Sequence, residues 1–303
     1  MTQSNTIRGI AAAAAAVSLA IVPPSLRAQE PASSRNSGFN FIPGGTIAPP
    51  LMAADQEPRT GIRKEAGSSK LILDIGSTLD IAAYAPDDEN AGTFGAGIDF
   101  FTYALSTSVA GRRLQIDAVD GFFGGHLAYR LTTASPDLAV RFRIIHRSAH
   151  FLDGHYDNSL QTWRDGQAPI PFTRDFGDLL VSAGWCIGDA HIALYSAVSY
   201  STLIRPIEMK RISSVHGIEL RSGPALGHAL GKPLNLFAAC NLSLDGVPAY
   251  VGTGTIEAGA KFGDWDGQGI RVVAGYRNGL EMFGQYYAAR RAYWSLGLLF
   301  DIW

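Results

Sequence analysis

The chain has 303 residues, of which 17% are charged, 34 are glycine and two are cysteine, and its formal net charge is -2. That length suits one large β domain or two ordinary ones. The near-neutral balance supplies no basic surface, so no nucleic acid is expected among the partners.

In chain order, Arg8 precedes an apolar, alanine-rich run over residues 9–22, which Pro23 and Pro24 interrupt and Ala28 follows as a small residue suited to cleavage. The run is short for a spanning helix, which needs about 20 residues. It reads as a signal peptide over residues 1–28. Residues 29–57 are rich in Pro, Ser and Gly without a period, and read as a flexible periplasmic leader. The barrel reading below covers residues 58–303.

From there the chain alternates. Between residues 71 and 83, Leu71, Leu73, Ile75, Leu79 and Ile81 share one face, and Asp74, Gly76, Thr78 and Asp80 the other. That is the period of two expected of a strand with separate polar and apolar faces. The pattern returns at 95–103, 121–131, 138–150, 178–187, 190–203, 213–221, 235–244, 250–262, 269–276 and 291–303. In the last stretch Trp294, Leu296, Leu298, Phe300 and Ile302 share a face. Such strands exceed the globular mode of about 5–6 residues and match the roughly 9–11 that a tilted strand needs to cross a bilayer. A sheet in hydrocarbon must close on itself, because no water satisfies a free edge. The fold class is therefore all-β, an antiparallel transmembrane β-barrel of about 12 strands, with residues 59–64 supplying the strand that makes the number even.

Long connections at 151–175 and 278–290 alternate with short ones at 132–136, 188–189 and 264–268. Extracellular loops are the longer ones in such barrels, so both termini are expected in the periplasm and the protein in the cell outer membrane. The implied partners are outer-membrane lipid and, during assembly, the barrel-insertion machinery. Whether a cofactor is bound is not legible in the sequence. Asp74, Asp80, Asp99, Arg130, Glu219 and Lys261 read as lumen charges of mixed sign and Arg277 as a rim charge, which argues against a wide diffusion pore. Cys186 and Cys240 lie in separate strands, and their spacing does not decide whether they pair.

The densest polar constellation runs from Arg141 to Asn158. Alternation sends Phe142, Ile144, His146, Ser148 and His150 one way and Arg141, Arg143 and Arg147 the other. The arginines are candidates for the lumen or for a lipid headgroup. His146 beside Ser148 is the minimum for a base-activated serine, with His150, Asp153 or Asn158 to orient the imidazole. The competing readings are a hydrogen-bonded cluster that pins a loop, a headgroup site, and zinc held by His146, His150, His155 and Asp153. The non-catalytic alternative is a structural, lipid-binding or small-solute role.

The His-x-Ser pair resembles the strand motif of the outer-membrane phospholipase A and lipid A deacylase families, where it faces outward and implies acyl-ester hydrolysis. In this sequence Ala149 follows the serine where the phospholipases place Asn, and Leu160 occupies the orienting position of both families. A broader stretch of the chain resembles the bacterial outer-membrane family "domain of unknown function 1207". That likeness is carried by residues 49–59, by residues 143–150 with Asp153, and by residues 284–298. Gly154 departs from it, since the family has an acid there. The resemblance implies a barrel in the outer membrane and no established activity.

Overall fold

The computed structural model describes residues 37–88, 90–109, 113–133, 135–150, 156–163, 166 and 168–302. The expected signal peptide lies outside them, as do Asp153 and His155. Twelve strands make the wall: β1 Gly61–Glu65, β2 Lys70–Ala85, β3 Thr93–Val109, β4 Arg113–Leu131, β5 Asp137–His150 and β6 Thr173–Ile187, then β7 Ala190–Arg205, β8 Ile212–Arg221, β9 Lys232–Gly246, β10 Tyr250–Gly263, β11 Gly269–Leu280 and β12 Arg290–Asp301. Each pairs antiparallel with the next, and β12 pairs back onto β1 from Ser295↔Glu65 to Leu299↔Gly61. The ring thus closes on itself, as hydrocarbon requires. Among the described residues no helix is long and apolar enough to cross a membrane.

The two faces are inverted relative to a soluble protein. Phe100, Ile144, Val198 and Leu296 point outward and are 70%, 64%, 54% and 65% exposed. Inside, Asp74, Asp80, Asp99, Glu219 and Lys261 are buried. Alternation places these two sets on opposite faces of the wall, which is the lipid-facing and lumen-facing pattern of a membrane barrel.

One seam of the wall is irregular. The four-residue strand Gly38–Phe41 pairs with the far end of β2, from Gly38↔Ala85 to Phe41↔Ala82. β1 pairs with the near end, from Gly61↔Asp74 to Lys64↔Leu71. Both lie on the same edge of β2, because β3 occupies the other. Between Ile42, whose N–H donates to Ile81 O at 2.8 Å, and Thr60, whose carbonyl accepts from Phe300 N–H at 2.8 Å, the chain leaves the wall. Residues 43–59 cross the lumen instead.

This corrects the flexible-leader reading for residues 37–57. Leu51, Met52, Ala53, Ala54 and Glu57 are buried. Residues 43–57 lack a period because they are neither strand nor helix, but their polar groups are taken up by the wall. Met52 N–H donates to Glu219 at 2.6 Å, Arg59 pairs with Glu257 at 2.8 Å, and Asp55 pairs with Arg277. Arg277 is consequently buried inside the lumen and not a rim charge.

The longest connection, 151–172, and the 281–289 connection emerge at the same end of the barrel. The opposite end is less uniformly short than expected. Its 222–231 connection folds back on β9 through His228↔Pro233 and is tied to the next turn by Trp265 Nε1, which donates to Ser222 O at 2.7 Å. Among the described residues, neither Cys186 nor Cys240 forms a disulfide.

Candidate functional site

β5 carries chemistry on both faces. Its inward charged side chains are Arg141, Arg143 and Arg147, all buried. Arg141 meets Glu57 at 2.5 Å, Arg143 meets Asp178 at 2.9 and 3.0 Å and Glu57 at 3.2 Å, and Arg147 meets Asp120 at 2.6 Å. Arg147 also lies over the rings of Phe122 and Phe172, 5.1 and 4.8 Å from their centroids. These guanidiniums are fixed inside the barrel and do not reach lipid. Each has a carboxylate on a facing strand or on the lumen segment, as a buried charge requires.

Three outward side chains of β5 form the other set. Ser148 Oγ and His150 Nε2 lie 3.0 Å apart. His146 Nδ1 lies 2.5 Å from Asp175 Oδ1, with the two side chains 32% and 40% exposed. The pairing register explains the second contact, since His146 sits directly opposite Asp175 of β6. The His146 ring also rests on Phe123 of β4, with centroids 4.8 Å apart.

The serine's hydrogen-bond partner is therefore His150 and not His146, which corrects the assignment of His146 as base. A residue two positions along a strand was expected on either side of Ser148, and the cross-strand acid draws His146 away. Asp175, which sequence reasoning missed, is the acid that orients an imidazole here. It orients the one that Ser148 does not touch, so among the described residues no complete serine–histidine–acid relay is assembled. Asn158 sits in a small hairpin, Tyr156–Asp157 with Thr162–Trp163, where its carbonyl accepts from Gln161 at 2.8 Å. No cluster of three or more potential metal ligands occurs among the described residues.

A second outward polar group interrupts the apolar wall between β7 and β8. Ser196 Oγ lies 2.9 Å from His216 Nδ1, and His216 Nε2 lies 3.1 Å from Ser214 Oγ. Inside, His126 bridges two buried carboxylates, Asp80 at 2.7 Å and Asp99 at 3.0 Å, and Asp80 also accepts Ile47 N–H at 2.7 Å. Outside the wall, in the 281–289 connection, Tyr287 donates to Glu208 at 2.8 Å. Burial, then the Glu208 carboxylate, push its phenol up to about 12, so it remains a neutral hydroxyl.

A closed antiparallel ring, apolar toward its surroundings and charged within, is an outer-membrane β-barrel, and that architecture defines the class of this protein and its place in the outer membrane. Two solved structures are similar to it. One is the outer-membrane expressed OmpT of Vibrio cholerae, 12% identical, covering 83% of this chain and 98% of that one with a TM-score of 0.39. The other is in-vitro folded OmpT of Vibrio cholerae, 12% identical, covering 84% and 99% with a TM-score of 0.36. No family model and no curated protein matches the chain. The resemblance to the family of domain of unknown function 1207 therefore rests on residues 49–59, 143–150 with Asp153 and 284–298, and that to the two lipid-hydrolysing families on His146 and Ser148.

Proposed function

We propose that this outer-membrane barrel binds lipid on its outer wall, with His146, Ser148, His150 and Asp175 holding the polar part of an outer-leaflet lipid. The observation that carries this reading is the outward position of all four groups beside the apolar stripe of Phe142 and Ile144, at the loop end of β5. Polar side chains at that depth meet headgroups and ester oxygens, and two imidazoles and a hydroxyl supply both donors and acceptors. The lumen supports no competing role as a wide pore, because residues 43–59 cross it and are tied to the wall.

The test is lipid retention. Wild type is expected to keep phospholipid or lipopolysaccharide through detergent purification, and the variant combining His146→Ala, Ser148→Ala and His150→Ala is expected to lose it. Equal lipid content by mass spectrometry, in two proteins that both migrate as folded barrels, would sink the reading.

A second reading is favoured by one contact, the 3.0 Å approach of Ser148 Oγ to His150 Nε2. In it the barrel is an acyl-ester hydrolase. His150 takes the Ser148 proton as Oγ attacks the acyl carbonyl, the ester C–O bond breaks, and the alcohol leaves with that proton. Water then cleaves the acyl-serine by the same route. Fatty acid released from phospholipid vesicles by wild type and not by Ser148→Ala would establish it. Equal release would remove it and leave lipid binding alone.

A further inference from the structure

Inside the barrel, on the loop side of the lumen segment, lies a cavity of about 80 Å³. At roughly 10–15 Å³ per water, it has room for on the order of five waters or one small solute. Arg174, Ser199, Ser213, Asn241 and Asp245 are among its lining residues. Phe172, Met209 and Tyr287 pack together over its outer end. All three stand on connections and not on strands.

Arg174 is the unusual member. The other lining arginines are closed by carboxylates at hydrogen-bond distance: Arg141 by Glu57, Arg143 by Asp178, Arg147 by Asp120 and Arg277 by Asp55. Among the described residues, Arg174 instead gives its hydrogen bonds to neutral hydroxyls, Nε to Ser201 at 2.5 Å and Nη2 to Ser213 at 2.7 Å. Its carboxylate partner, Asp245, makes only a long ion pair, 3.6 Å from Nη1, and the Phe176 ring centroid lies 5.0 Å from the guanidinium carbon. Yet the Arg174 side chain is only 3% exposed. A guanidinium has five N–H donors, and two are used. A buried cation whose charge no hydrogen-bonded anion answers is costly, and a planar fork with free donors suits a bidentate oxyanion.

We propose that this cavity is a binding site for a small oxyanion of the carboxylate or phosphate kind, anchored by Arg174 and shared with the Ser213 hydroxyl. Asp245 is its internal competitor. It holds Arg174 loosely when the site is empty and is displaced from it when an anion arrives. The site is separate from the lipid-facing cluster, being inside the wall.

The experiment uses the full chain refolded in detergent, with inorganic phosphate and succinate as separate probes in isothermal titration. At least one is expected to bind saturably and to raise the thermal unfolding midpoint. Arg174→Gln is expected to weaken that binding by about tenfold or more, the scale of one lost charge-assisted pair. Asp245→Asn is expected to strengthen it, because the competing carboxylate is gone while Arg174 remains. Phosphate binding without succinate binding assigns a phosphoryl ligand, and the reverse assigns a carboxylate. Absence of saturable binding by both, or equal affinity in wild type and Arg174→Gln, overturns the proposal. If Arg174→Gln does not fold, unchanged or weakened affinity in Asp245→Asn overturns it.

Discussion

Glu57 receives two hydrogen bonds from one guanidinium, Arg141 Nη1 at 3.0 Å and Nη2 at 2.5 Å, across 84 residues of chain. Arg143 approaches the same carboxylate at 3.2 Å. The pair joins the lumen segment to the strand that carries the outward polar cluster on its other face. Removing Glu57 leaves Arg141 without a carboxylate among the described residues. Breaking a buried pair by deleting one partner costs about 3–5 kcal/mol. Glu57→Gln is expected to lower the unfolding free energy on that scale, measured by urea titration in lipid vesicles. A loss below about 1 kcal/mol, the size of an exposed pair, would mean that the segment is not held by this contact.

The lumen segment also predicts a conductance. Deleting residues 46–57 removes the ties to Arg141, Glu219 and Arg277 and empties the middle of the barrel. Planar-bilayer recordings are expected to show steady single-channel current for the deletion and none for wild type at the same voltage. Silence from a folded deletion variant would contradict the plug.

The membrane face can be probed with one charge at two depths. Val198 lies mid-strand on the outer wall, whereas Ile207 is exposed in the 206–211 connection. Arginine at the bilayer midplane of a barrel costs about 2–4 kcal/mol and near the interface about 0–1. Val198→Arg should therefore destabilise the refolded protein in lipid far more than Ile207→Arg. Equal effects would mean that Val198 does not face hydrocarbon.

Gly76 is a point of close approach in the β2–β3 pairing. Its φ is +130°, and a Cβ there would stand 2.3 Å from Phe100 O and 2.4 Å from Phe101 Cα, both backbone atoms. Neither can move without parting the strands. Gly76→Ala is expected to destabilise by more than about 1 kcal/mol, as alanine does at an incompatible backbone angle. Gly254→Ala meets nothing within 4 Å and serves as the near-neutral control. Similar refolding yields and stabilities for the two would refute the clash.

The wall was legible because alternation is a local signal. Leu73 and Asp74 announce opposite faces within two residues, and the same rule placed Ile144 outside and Arg143 inside. The lumen segment was not legible by that rule, since a chain crossing a cavity has no period. Its signal was chemical: Asp55, Glu57 and Arg59 stand close together beside the apolar Leu51 and Met52, charges that a free leader does not need. The partner of His146 was hidden for another reason. Asp175 lies 29 residues away, and only the β5–β6 register brings it opposite.

The excursion between Ile42 and Thr60 ties the interior of this molecule to its wall. Its two ends are stitched to β2 on either side of the departure point, and β12 zips onto β1 directly beside the exit. The same edge of β2 therefore serves both the closing of the cylinder and the filling of its interior, and a change that loosens one seam is felt by the other.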